Sequence, residues 1–300
     1  MISGTPLAEV ASILPSLLAE RLSGLKEGEA RQVEELRLRR GYPMSVLLGG
    51  GELPVGGAPI TEADLRSVLE AASRASAHTV LEQVKQGFVT LRGGHRIGLC
   101  GTVNRQDGET RSLRYLSSLS IRVARAVEGQ TNGLASQLLE QGCFQNTLIV
   151  GPPGSGKTTL LRELIRVLSD GHGVPPFRVG LADERGEIAA TWVGQPQFRV
   201  GRRTDVLDGC PKAEGMLMLL RGMNPQILAA DEITHPDDVS AMMEVAGCGA
   251  GILATAHGTG MEDLQCRPVY RTLMAEGIFR RVIVLSNRNG RRVTRVEVLP

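Results

Sequence analysis

The octapeptide Gly151-Pro152-Pro153-Gly154-Ser155-Gly156-Lys157-Thr158 constrains this chain more than any other segment. It fills every fixed position of G-x-x-x-x-G-K-[ST], follows the apolar run Thr147 to Val150, and opens a helical pattern from Thr158 to Leu168. Glycines at this spacing let successive backbone N–H groups turn toward a β-phosphate, with the positive end of the following helix behind them. Lys157 would reach the β and γ oxygens, and the Thr158 hydroxyl would ligate Mg2+. Gly151 to Thr158, together with Thr159, are the candidate ATP-binding residues.

Such a loop needs a metal-organising acid at the end of a second strand. Pro225-Gln226-Ile227-Leu228-Ala229-Ala230-Asp231-Glu232 supplies four apolar residues and then two carboxylates. Asp231 would hold the Mg2+ shell through water, and Glu232 would polarise an attacking water. A second acidic cluster, Asp183-Glu184-Arg185-Gly186-Glu187, follows the apolar Leu181-Ala182, and Thr255 and His257 close the run from Gly251. Parallel strands bring their C-terminal ends to one sheet edge, so Asp183, Glu184, Glu187, Thr255 and His257 are expected to converge beside the phosphates. A lone histidine usually has a structural role; its place on that edge makes His257 a candidate γ-phosphate sensor.

The rest of the chain sorts into two parts. Between residues 1 and 127 the patterns predict two short helices divided at Pro15, a hairpin from Val33–Leu38 and Met44–Leu48, and a helix from Thr61 to Glu82. Strands follow at Phe88–Leu91, Arg96–Cys100 and Leu119–Val123, and the stretches Gly49–Gly51 and Gly56–Gly57 read as loops. That is a small α+β domain. From the polar linker 128–133 onward strands of about six residues alternate with helices, predicting a mainly parallel sheet covered on both faces over residues 128–300. The fold class expected is therefore α/β, a P-loop domain with a mainly parallel sheet preceded by a smaller α+β domain.

Charge and composition exclude several classes. Thirty-four Lys and Arg against 32 Asp and Glu leave +2 over 300 residues, without the basic excess that binding to a phosphate backbone requires. Aromatic residues are 3%, too few for a stacking platform, so no direct nucleic-acid partner is expected. Five cysteines without a CxxC pair suit a reducing compartment. No apolar run reaches 18 residues, and the first 22 lack a basic n-region, so a cytoplasmic location is expected. The basic runs Arg37–Arg40 and Arg291–Arg292 read as solvated faces.

The order of phosphate loop, acidic box, acid-terminated strand and Thr-x-His resembles the type II/IV secretion ATPases, RecA-like motors. More closely, Gly94-His95-Arg96-Ile97-Gly98-Leu99-Cys100-Gly101, Leu119-Ser120-Ile121-Arg122-Val123-Ala124-Arg125 and Asp183-Glu184-Arg185-Gly186-Glu187-Ile188 resemble the stage III sporulation protein AA family. The resemblance implies a Mg2+-dependent ATPase working as a hexameric ring in the mother cell. It would be held at the membrane through partner proteins and energise a secretion-like channel to the forespore. It also implies an arginine delivered across the subunit boundary, for which Arg96 and Arg122 are favoured over Arg125, Arg202 and Arg203. Asp231-Glu232 stands where secretion ATPases carry Gly-Glu, leaving either Glu232 or Glu187 as the main water-orienting base. Gly258 stands where a second polar residue often follows the histidine, and Arg221 is displaced by one residue from the position of a phosphate sensor. A P-loop module with a nucleic-acid role is the alternative. A non-hydrolysing switch is disfavoured by the intact Lys157 and Glu232, and a GTPase by the lack of an Asn-Lys-x-Asp motif.

Overall fold

The computed structural model describes residues 5–73, 87–106, 109–125, 129, 131, 133–288 and 291–299. They form two compact units: residues 1–126 with 190–197, and residues 127–189 with 198–300. Ala190–Gln197 thus groups with the first unit, although its sequence lies within the second. Short-range pattern cannot reveal such an excursion, because it is defined by what the segment touches.

In the first unit α1 (Pro6–Ala11), α2 (Ser16–Leu22) and α3 (Glu27–Gln32) precede β1 (Val33–Arg39), β2 (Met44–Leu48) and β3 (Gly51–Gly56). Then come α4 (Glu62–Ser73), β4 (Phe88–Thr90), β5 (Arg96–Gln106) and β6 (Glu109–Arg122). Thr61 caps α4: its Oγ1 accepts the Asp64 N–H at 3.2 Å while the Asp64 carboxylate accepts the Thr61 N–H at 2.8 Å. The expected continuation of that helix to Glu82, and the loop at Asp107-Gly108, lie outside the described residues. The sheet runs β3-β2-β1-β6-β5-β4, every neighbouring pair antiparallel. β3 falls between the two glycine turns and was not legible, since Gly-Glu-Leu-Pro-Val-Gly has no clear alternation and edge strands tolerate proline. Leu36, Leu38, Val46, Ile97, Leu119 and Ile121 bury one face of the sheet against Leu7, Val10, Leu18, Leu65 and Val68 of the helices.

The second unit begins with β7 (Leu139–Glu140), β8 (Cys143–Phe144) and β9 (Thr147–Gly151), followed by α5 (Lys157–Asp170). β10 (Val179–Asp183), β11 (Thr204–Asp208), α6 (Lys212–Met223), β12 (Ile227–Ala230), α7 (Pro236–Gly247) and β13 (Gly251–His257) continue it. α8 (Met261–Gln265), α9 (Pro268–Ala275), β14 (Arg281–Arg288) and β15 (Arg291–Val298) complete it. The seven-stranded sheet has the order β11-β10-β12-β13-β9-β14-β15 and is parallel except at the β14–β15 edge. Alternation sends Leu148, Val150, Ala230, Ile252 and Val282 to one core and Ile149, Leu181, Ala229, Leu253 and Ile283 to the other. Burial on both faces explains the continuous apolar runs. It also aligns the C-terminal ends of β9, β10, β12 and β13, where the sequence places its polar residues.

Candidate nucleotide site

β9 ends at Gly151 because the chain must turn sharply there. A Cβ on Gly151 would lie 2.5 Å from Ser155 Oγ, and Gly154 and Gly156 take φ of +72° and +89°, values open to glycine. α5 starts at once with Lys157, which is 6% exposed. Its ammonium donates to Gly151 O at 2.8 Å, to Pro152 O at 3.0 Å and to His257 Nδ1 at 3.0 Å. Burial pulls the Lys157 pKa down from its ordinary value, and the charges of Asp231 and Glu232 oppose that shift.

An ammonium group can only donate, so Nδ1 of His257 accepts and the ring proton sits on Nε2. That Nε2–H donates to Glu232 Oε1 at 2.9 Å, and Arg185 donates to Glu232 Oε2 at 3.1 Å. The adjacent acid is held separately. Thr158 Oγ1 donates to Asp231 Oδ2 at 3.0 Å, while the fully buried Thr255 hydroxyl donates to Asp231 Oδ1 and accepts the Glu232 N–H at 2.8 Å. Glu232 itself has φ +50°, an uncommon value for a residue with a Cβ. Lys157, Thr158, Asp231, Glu232, Thr255 and His257 thus form one bonded group.

The acidic cluster divides. Asp183 lines the same cavity as Asp231 and Glu232, and its buried carboxylate accepts the backbone N–H groups of Glu187, Ile188 and Ala189 and so organises the loop. Burial raises its pKa, opposed by those three hydrogen bonds. Arg162, one turn beyond Thr158 on α5, locks the same loop by donating to the carbonyls of Glu187 at 2.7 Å and Ile188 at 2.5 Å. Its guanidinium also stacks on Phe198, 4.0 Å from the ring centre. Sequence reasoning missed Arg162; the signal was an arginine at i+4 from the loop threonine. Glu184 is paired with Lys212 at 2.9 Å. Glu184, Arg185, Glu187, Lys212, Asp231 and Glu232 all line one cavity of about 20 Å³.

Other candidates lie elsewhere. Arg122 ends β6 in the first unit, paired in register with Glu35 on one side and Arg96 on the other, and Arg96 stacks on Phe88 at 3.5 Å. Arg125 donates to Val33 O at 2.8 Å. Arg202 and Arg203 hold the chain against α5 through backbone N–H bonds to Asp170 and Ser169. Arg221 pairs with Glu244 on an exposed face. A Cβ at Gly258 would meet Asp263 and Leu264 at 3.1 Å, which explains why no side chain follows His257 there.

The residues suit a nucleotide with a divalent cation. Ser155 Oγ is buried without a hydrogen-bond partner among the described residues, and the positive-φ glycines beside it leave the loop backbone open to an anion. Among the described residues no cluster of three or more His, Cys, Asp or Glu could hold a metal. One hydroxyl and one carboxylate, Thr158 and Asp231, fit a cation that is shared with phosphate oxygens and water.

The family model described as Sporulation stage III, protein AA matches residues 8–296. The chain belongs to that family. It is 40% identical to the stage III sporulation protein AA of Bacillus subtilis over 286 residues, 94% of this chain and 92% of the relative. In fold it is similar to the ATPase DotB of Legionella pneumophila, with TM-score 0.60 at 18% identity, covering 95% of this chain and 81% of DotB. It is likewise similar to the pilus retraction motor PilT, with TM-score 0.63 at 16% identity, covering 93% and 82%. The α/β fold of those two proteins is therefore the fold of this chain. Among the described residues no helix is long and apolar enough to cross a membrane.

Proposed function

We propose that this protein hydrolyses ATP as one subunit of a ring-shaped motor. The observation that carries the reading is the bonded group in which Lys157, His257 and Glu232 are linked in series beside Thr158 and Asp231. The phosphate loop and Lys157 bind the triphosphate; Thr158 and Asp231 hold Mg2+, whose charge offsets that of the phosphate oxygens. Glu232 orients water and takes its proton, while the His257 Nε2–H fixes the carboxylate and reports on the charge around Lys157. Glu187 lines the same cavity and is the second candidate for the base.

Membership of the sporulation family and the fold shared with an ATPase and a pilus motor support the wider reading. In it, a hexameric ring in the mother-cell cytoplasm is held at the membrane by channel proteins and supplies them with work. Arg122, from a neighbouring subunit, neutralises charge that the phosphate loop does not. The test is ATP hydrolysis by the purified chain with Mg2+. Lys157→Ala is expected to lose nucleotide binding, whereas Glu232→Gln binds ATP but turns it over at least about a hundredfold more slowly. Equal ATP affinity for Lys157→Ala and the parent would sink the assignment.

A further inference from the structure

Lys212 stands against two local rules. It is the first residue of α6, where the helix dipole disfavours a cation, and it is only 7% exposed, which penalises an ammonium group. Two carboxylates offset both costs, since Nζ lies 2.9 Å from Glu184 Oε2 and 3.4 Å from Asp238 Oδ2. Those acids sit on the two segments that flank Glu232. Glu184 is in the acidic loop, whose next residue, Arg185, donates to Glu232 Oε2. Asp238 Oδ2 accepts the N–H groups of Thr234 and His235, both at 3.0 Å, and so fixes the turn that leaves Glu232 at φ +50°. One ammonium therefore ties together what holds the Glu232 side chain and what holds its backbone.

We infer that Lys212 is the positioning residue for Glu232, acting through Glu184 and Asp238 and touching no substrate itself. The inference rests on the ATP hydrolysis proposed above. A lysine needed only for folding would lower stability without separating turnover from binding, whereas one that aims the base lowers kcat and spares affinity.

The experiment uses the full chain and four variants: Lys212→Met, which keeps the apolar stem, Glu184→Gln, Glu232→Gln, and Lys212→Met combined with Glu232→Gln. Steady-state ATP hydrolysis, ATP affinity and thermal unfolding are measured on each. Lys212→Met is expected to lower kcat about tenfold with ATP affinity within about twofold, since a displaced base costs turnover. Combined with Glu232→Gln it lowers kcat no further, because both changes act on one group. Unchanged kcat in folded Lys212→Met, or a further tenfold loss on the Glu232→Gln background, overturns the inference and leaves the ATPase reading standing. Should Lys212→Met not fold, Glu184→Gln breaks the same tie from the other side, and unchanged kcat there overturns it equally. A parent chain that hydrolyses no ATP overturns both readings.

Discussion

At the residue scale, His257 does what neither neighbour can. An imidazole can accept from the Lys157 ammonium on one nitrogen and donate to the Glu232 carboxylate from the other, so it links the two charged groups. His257→Ala is expected to keep ATP binding and lose at least about tenfold in turnover, roughly 1.4 kcal/mol of transition-state stabilisation. An unchanged turnover number would return the residue to a structural role. The types and spacing of Lys157, Thr158, Asp231 and Glu232 were readable because each chemistry admits few side chains. Arg162 and Lys212 were not, because an arginine or lysine within a helix pattern reads as solvated surface until its partners, up to 28 residues away, are brought to it.

At the element scale, the acidic loop depends on one carboxylate, Asp183, which accepts three of its backbone N–H groups. Asp183→Asn replaces an oxygen that accepts from the loop backbone with an amide that donates, leaving at least one buried N–H facing another donor. A loss of about 1 to 3 kcal/mol in unfolding free energy is expected, read by denaturant titration, together with lower ATP turnover. Full stability in Asp183→Asn would mean that the loop is held by Arg162 alone. In the first unit, Glu52 on β3 pairs with Arg39 of β1 and with Ser45 of β2, and these hydrogen bonds lower its pKa to about 2 from 4.5. A carboxyl with a lowered folded pKa stabilises above its ordinary pKa and loses that contribution as pH falls through the folded value. Acid unfolding of the parent should therefore show a component between pH 4.5 and about 2 that Glu52→Gln removes. Identical acid profiles would show that this exposed pair contributes nothing.

At the scale of the whole molecule, the proposed catalysis draws a positive group, Arg122, from a neighbouring subunit to meet the charge that develops on the transferred phosphoryl group. Lys157→Ala subunits keep Arg122, and Arg122→Ala subunits keep the phosphate loop. Each alone is expected to be inactive, and mixing them should restore part of the hydrolysis in mixed rings, measured beside the oligomer mass. No recovery where mixed oligomers are shown to form, or full activity in a demonstrated monomer, would exclude Arg122 as a group acting in trans.

Sequence alone determined the strands and helices that alternate from Thr147 to His257, apart from β11, which follows β10 without a helix and was not expected, together with the turn chemistry of Gly151 to Thr158 and the polar residues that close β10, β12 and β13. These are local properties: an apolar run flanked by glycine or acid has few ways to fold inside a doubly covered sheet. Tertiary structure alone decided which acids do what. Asp183, Glu184, Asp231 and Glu232 are alike as letters at strand ends. One caps backbone, one meets Lys212, one meets two threonines and one meets histidine and arginine. A carboxylate's role is set by the donors around it, and those donors come from α5, α6, β13 and the acidic loop, brought together only when parallel strands align their C-terminal ends.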